Sequence, residues 1–442
     1  MNDKILTNTP YGFSQHADRI ILNNEVHSRP FIALKSPSRC TNIAMLHDPN
    51  AAHDEWQYID ILCRQFGISL PQEIDNHIIL DFGTFQLKWE RHTEFSSYTF
   101  IREGAGSGLF QGTALDVVPA EWLDKLPGEM LVGVHLFITP CTRENSYNPD
   151  EILEIFGSHS IVGARVSNDN ATAWTDFRLH KDGFSRILIN NISMQERQAG
   201  RLVQRLWEIE TYRMMSLLAM SVTREVSDMT RTIELKIARN VRKMVDVHHP
   251  DQEQKLLETL TRLAAQVEHL SAKTSFRFSA SKAYYALVLK RVENIKEDSI
   301  EGIQRISSFI DRRLAPAMRT AESMDERISV LSRRVSRASN LLQTRINTTL
   351  QGQNKELLKS MDRRAQTQLR LQQTVEGISV VAISYYALGI VNILAKAGTK
   401  YWTALDSTII TAGATPIVVT LVYLAIHRLR KVITKNTTSH TE

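Results

Sequence analysis

For a chain of 442 residues, cysteine and proline are scarce, at three Cys and 12 Pro. Cys40, Cys63 and Cys141 stand far apart, form no CxxC pair and have no metal-ligand spacing, which excludes a disulfide framework and a Cys-based zinc site. A reducing compartment fits that usage. Also missing are a Walker loop, a Rossmann glycine fingerprint, a GxSxG elbow and an HExxH pair. No catalytic residue and no cofactor is therefore assigned from motifs. The opening MNDKILTNTPYGFSQHADR has no apolar core behind Lys4, so no secretory signal peptide is expected there. With 43% hydrophobic and 23% charged residues the chain has a globular balance, which excludes bulk disorder.

What the chain does have changes along its length. TNIAMLHD, HIILDFGTFQLKW, FSSYTFIRE, MLVGVHLFIT, SIVGARVSND, AWTDFRLHKDG and FSRILINN read as strands, rich in β-branched and aromatic residues. AAHDEWQYIDILCRQFG and NPDEILEIFG between them have helical spacing. The last three strands are predicted to form an antiparallel meander, so residues 1–191 read as an α+β domain. After Ser193 strand alternation stops. Ser193 and Glu196 open a helix in capping-box spacing, and His248-His249-Pro250 break it. Residues 192–375 are predicted to be a helical stalk, interrupted at Pro316. Within it Ile328, Leu331, Val335, Ala338 and Leu342 alternate steps of three and four, then Ile346 and Leu350 follow at four, a coiled-coil-like seam with a stutter. Such a seam needs a partner helix, in the same chain or in another copy.

The net charge is +5, and 14 Lys/Arg fall between Arg305 and Arg370 with no acid between Arg327 and Lys355. A basic stripe of this kind can face phosphates, of nucleic acid or of anionic lipid headgroups, or form a solvated helix face. Its neighbours decide. Residues 378–395 carry no charge, and residues 407–426 form a second such run. At 1.5 Å per residue they reach roughly 27 and 30 Å, enough for the hydrocarbon core of a bilayer. Residues 376–431 are therefore predicted to hold two transmembrane helices, followed by a tail at 432–442. Lys359, Arg363, Arg364 and Arg370 precede the first span, and Arg428, Arg430, Lys431 and Lys435 follow the second. That asymmetry places both termini and the bulk of the chain in the cytoplasm, and it favours lipid over nucleic acid as partner.

Inside the first span Ser384, Tyr385, Gly389 and Asn392 recur at helical spacing. In lipid, small and polar groups let helices approach and hydrogen-bond; the alternative is a polar path for an ion. Pro416 interrupts one backbone bond of the second span beside Thr411 and Thr415, where a kink is expected.

The phrases NEVHSRP, LKWERHTEF, RLVQRLWEIETYRMM, FRFSASKAYYALV, IDRRLAPAMRT and QLRLQQTVEGISVVAISYYALGIV together resemble the bacterial membrane-anchored proteins of domain-of-unknown-function family 3422, over nearly the whole chain. The resemblance implies a bacterial inner-membrane protein with two C-terminal spans, and it brings no assigned activity. In plan alone, a cytoplasmic domain on a long helix that continues into the first of two spans is similar to CorA-type magnesium channels. Those carry Gly-Met-Asn at the outer end of the first span, where this chain departs with Gly389-Ile390-Val391-Asn392.

Two further polar clusters remain. On a pleated strand Glu90, His92 and Glu94 would share one face, where they could bind a divalent cation, run acid-base chemistry, stay solvated or meet a basic helix. His27 and Arg29 in EVHSRP could grip an anion or shape the turn before Pro30. Gly104-Ala105-Gly106-Ser107-Gly108 lacks the Lys-Ser/Thr of a phosphate loop and reads as a flexible connection. Taken together, the sequence leads to a membrane-anchored homo-oligomer with a cytoplasmic binding or sensing domain, with an ion path as the alternative and a membrane-tethered enzyme as the third and least supported reading.

Overall fold

Alternating apolar residues bounded by turn formers build a sheet wherever both faces can be covered, and here both are. The computed structural model describes residues 16–19, 22–23, 30–47, 52–71, 76–143, 149–157, 160–398 and 407–437. The sheet has the order β2-β3-β4-β1-β5-β8-β7-β6, with β1 Ser38–Leu46, β2 His77–Asp81, β3 Gln86–Arg91, β4 Phe95–Glu103, β5 Glu129–Pro140, β6 Val162–Val166, β7 Ala171–Thr175 and β8 Ser185–Asn191. Only β5 and β8 pair in parallel; the other neighbours are antiparallel, so the sheet is mixed. The run predicted as a single strand from His77 to Trp89 is a hairpin, because Gly83 takes a positive φ of 77° and Phe82 N–H bonds Phe85 O.

One face of the sheet is covered by helix α1, Ala52–Gln65, whose Trp56, Ile59 and Leu62 pack on Ile43, Trp89, Tyr98 and Phe100. Two short helices, α2 Ala120–Leu123 and α3 Pro149–Ile155, complete that layer, with Trp122 and Ile152 buried. The opposite face is covered by α4, Glu196–Asp246, through Leu202, Val203, Leu206 and Ile209 against Val134, Leu136, Ile187 and Ile189. Gly200 marks the closest approach: a Cβ there would lie 1.8 Å from the Ile32 carbonyl. That is why the extended segment at 31–35 can cross α4, where Leu34 N–H bonds Glu196 O.

Helix α5, Pro250–Asn294, returns alongside α4, and α6, Ile306–Gly398, is a single helix that keeps Pro316 inside it. The seam read from sequence is buried as far as it alternates: Ile328, Leu331, Val335, Ala338 and Leu342 are 1–5% exposed. Its partners belong to the same chain. Arg327 of α6 pairs with Glu234 of α4 at 2.8 Å, and α4 pairs with α5 through Glu208 and Arg291. The linker between α5 and α6 does more than turn. Ser167, Arg165 and Gly163 N–H groups bond Ile295, Asp298 and Gln304 carbonyls, so the linker lines the edge strand β6 and removes its free hydrogen-bonding rim. The final helix, α7, is Ser407–Thr437.

By packing, the chain divides into two compact units. One takes residues 1–247 and 255–339, joining sheet and helices; the other takes residues 248–254 and 340–442.

Candidate functional site

Two helices meet the length and apolarity needed to cross a membrane: the C-terminal part of α6, with mean hydropathy 2.0 over its best window, and Thr408–Arg428 of α7, with 2.1. A core helix of a soluble protein would pass the same test, but it would be covered. Here 11% and 0% of those windows are buried. Ile378, Val381, Ile390, Ile393, Ile417 and Leu421 are each at least 60% exposed, a belt of apolar surface that water does not tolerate at this size.

Each of the two helices has one sheltered stripe. On α6 it runs through Val380, Ser384, Ala387, Leu388, Val391, Asn392 and Ala395; on α7 through Thr411, Ala414, Thr415, Val418, Val422 and Ile426. The i, i+3, i+4 spacing and the many small side chains are those of a close-packed helical pair. Of the four predicted polar residues, Ser384 is 4% exposed and Asn392 is half-buried, both on that stripe. Tyr385, 75% exposed, and Gly389, beside which a Cβ would meet nothing within 4 Å, lie off it. The geometry therefore splits the set, two residues on the sheltered stripe and two off it. The Ser384 hydroxyl is buried without a hydrogen-bond partner. Pro416 sits within α7, and Thr415 Oγ1 donates to Thr411 O at 2.8 Å one turn back. Arg363, Arg364, Arg370 and Arg428 are exposed. Arg430 and Lys431 lie on α7 with side chains outside the described ones.

Glu90, His92 and Glu94 do not share a strand face, because β3 ends at Arg91 and the chain turns, with His92 N–H bonding Phe95 O at 2.8 Å. Glu90 is buried beside Lys88, 2.9 Å away. The His92 ring stacks on Phe95, and Glu94 meets the Arg277 guanidinium of α5, the basic-helix outcome weighed for this strand. Burial and the nearby Glu94 carboxylate push the Tyr284 hydroxyl upward in pKa. Three separate ion pairs and stacks take the place of one acid-base site, and among the described residues no group of three or more His, Cys, Asp or Glu could hold a metal. His27 and Arg29 lie outside the described residues.

A cluster that the sequence reading missed sits under α1. Glu55 Oε2 accepts from Ser96 Oγ at 2.5 Å while Glu55 Oε1 lies 3.0 Å from His47 Nδ1, with Glu55 and Ser96 buried and the His47 side chain 1% exposed. The carboxylate occupies the centre, so the imidazole never reaches the hydroxyl and no nucleophile is activated. A signal was there: Glu55 stands on the apolar face of an amphipathic helix, where a lone carboxylate needs partners. The Gly-rich loop also has a use. Arg39, 6% exposed, donates to Gly104 O and Gly112 O, and a Cβ on Gly106 would lie 2.8 Å from its Nη1. The glycines make room for a buried guanidinium.

One crevice of about 830 Å³ opens beyond the carboxyl ends of the parallel pair β5 and β8, lined by Lys35, Pro140, Cys141, Asn191, Ser193 and Glu196 among others. Strand ends of this kind are where α/β sheets commonly take ligands.

A family model described as "Protein of unknown function (DUF3422)" matches residues 14–433. No curated protein and no solved structure matches the chain.

Proposed function

From the premise that this chain belongs to the DUF3422 family of proteins of unknown function, we propose that it is a membrane-anchored homo-oligomer carrying a binding or sensing head. The observation that carries the proposal is the uncovered apolar surface of the two C-terminal helices, 11% and 0% buried over their best windows. Burying that surface in lipid instead of water stabilises the anchor by roughly 25 cal/mol per Å². In this reading Arg363, Arg364, Arg370, Arg428, Arg430 and Lys431 lie at an anionic leaflet of the bacterial inner membrane, each contributing about 1 kcal/mol. The positive-inside asymmetry puts both termini and the head in the cytoplasm. The crevice at the ends of β5 and β8 is one place in the head sized for a small ligand.

The test is fractionation of the full chain followed by carbonate extraction. The anchor predicts that the protein stays with the membrane pellet and that trypsin reaches Lys435 only from the cytoplasmic side. Recovery in the aqueous supernatant without detergent refutes it.

A second reading, an ion path like that of CorA-type channels, is favoured by one observation, the unpartnered Ser384 hydroxyl on the stripe that also holds Asn392. Ion flux into proteoliposomes reads it directly. Flux that changes with Asn392→Leu supports a path; absence of flux in the parent protein removes it.

A further inference from the structure

The seam that α6 shares with its own chain ends near Leu342, yet the helix continues to Gly398. From 347 to 375 every residue is exposed, so among the described residues none covers any side of it. A helix left bare over that length is marginal in water unless something packs on it. The sequence of the bare segment is not featureless. Leu350, Leu357, Leu371 and Ile378 recur at position d of a heptad, with Met361 and Val375 at position a, and these six are 52–66% exposed. Between Leu350 and Ile378 every charged residue except Arg364 falls at b, c or f, Lys355, Glu356, Lys359 and Arg363 among them, while Arg364 takes a d position and Gln368 an a position. The e and g positions, such as Gln353, Leu358, Ser360 and Ala365, carry no charge. This is the distribution of a helix whose a/d side is enclosed and whose opposite side faces water.

The steps of four at Leu342, Ile346 and Leu350 break the heptad, so the second seam is out of phase with the first: continued unbroken, position d would fall at 345 and 352, and it falls at 350. The second seam is therefore not a continuation of the first.

We propose that residues 350–378 form a parallel, in-register coiled coil with the same segment of a second copy of this chain. This deepens the homo-oligomer of the proposed function and rests on its anchor. The apolar span begins within the last heptad of the seam, so two copies inserted with the same polarity present the segment side by side and in the same direction. Asn354 takes an a position, the placement by which a single buried Asn sets register and number of strands in parallel dimers.

The test uses the full chain in membranes, in a Cys141→Ser background, since Cys40 and Cys63 are buried. Single variants Leu357→Cys and Leu371→Cys, at d, are oxidised with copper-phenanthroline beside Lys359→Cys and Gln373→Cys at f. Expected is a disulfide-linked dimer from the d variants in several-fold excess over the f variants. Equal linking at d and f, which signals random collision in the membrane plane, overturns the proposal, as does absence of linking at d. Leu357→Asp with Leu371→Asp serves as a second arm: a drop in particle mass in detergent is expected, and an unchanged mass overturns the seam. Carbonate-resistant pelleting of the same samples reads the anchor separately, so loss of the anchor and loss of the seam give different results.

Discussion

Helix α6 contains two seams with the same chemistry and opposite surroundings. Leu331 and Val335 are 2% and 1% exposed, whereas Leu357 and Leu371 are 61% and 66% exposed. Leucine at helical spacing is common to both stretches, so composition does not tell them apart. What differs is whether the chain itself supplies a neighbour. A periodic apolar stripe predicts that a partner exists and is silent about whose it is.

The largest expected effect sharpens that contrast. Leu331→Ala should cost about 2–5 kcal/mol of unfolding free energy, as lost transfer energy plus a cavity, while Leu357→Ala should change the stability of the detergent-solubilised single chain by less than about 0.5 kcal/mol. Chemical denaturation followed by tryptophan emission from the head checks both. Equal costs at the two sites would mean that the bare segment is covered.

Next in size is a pH effect confined to the head. His135 is 4% exposed, 2.8 Å from Thr41 Oγ1 and stacked on Phe184, and burial pushes its pKa down to about 4, with Asp182 opposing and Arg186 assisting. Because the folded state binds the proton less readily than the unfolded chain, the contribution is fully present above pH 6.5 and is lost as pH falls toward 4. The loss amounts to about 3 kcal/mol. His135→Phe should flatten the dependence of unfolding midpoint on pH over that window, and a slope that survives the substitution removes His135 as its source.

The same substitution at two glycines separates covered from uncovered backbone. Gly200→Ala drives a Cβ to within 1.8 Å of the Ile32 carbonyl and should destabilise the head by about 1–3 kcal/mol. Gly389→Ala meets nothing within 4 Å and should be neutral or favourable by about 0.5–1 kcal/mol through helix propensity alone. A loss of oligomer mass on Gly389→Ala would instead show that another helix approaches there. This is the smallest of the four effects, and thermal melting of both variants reads it.

Much of this architecture was legible from residue order. The α+β head, the meander of β6, β7 and β8, the break at His248-His249-Pro250 and the two apolar runs follow from period and turn chemistry, which are local properties. Glu90, His92 and Glu94 were not legible as a group. A two-residue alternation places them together only while the strand lasts, and the bond from His92 N–H to Phe95 O ends it. The Glu55, His47 and Ser96 cluster escaped for the opposite reason, since its members come from a helix, the residue that follows β1 and a strand, and only packing of α1 on the sheet brings them within 3.0 Å.

By itself the sequence determined which stretches favour helix or strand, which are too apolar for water, and that α6 must have neighbours, because backbone propensity and hydrophobic period act over a few residues. Only the tertiary structure decided that α4 and α5 of the same chain enclose the first seam, that the linker after α5 seals the edge of β6, and that residues 347–375 remain bare. Those outcomes depend on contacts between residues distant along the chain, and no periodicity within one element encodes which distant surface will arrive to cover it.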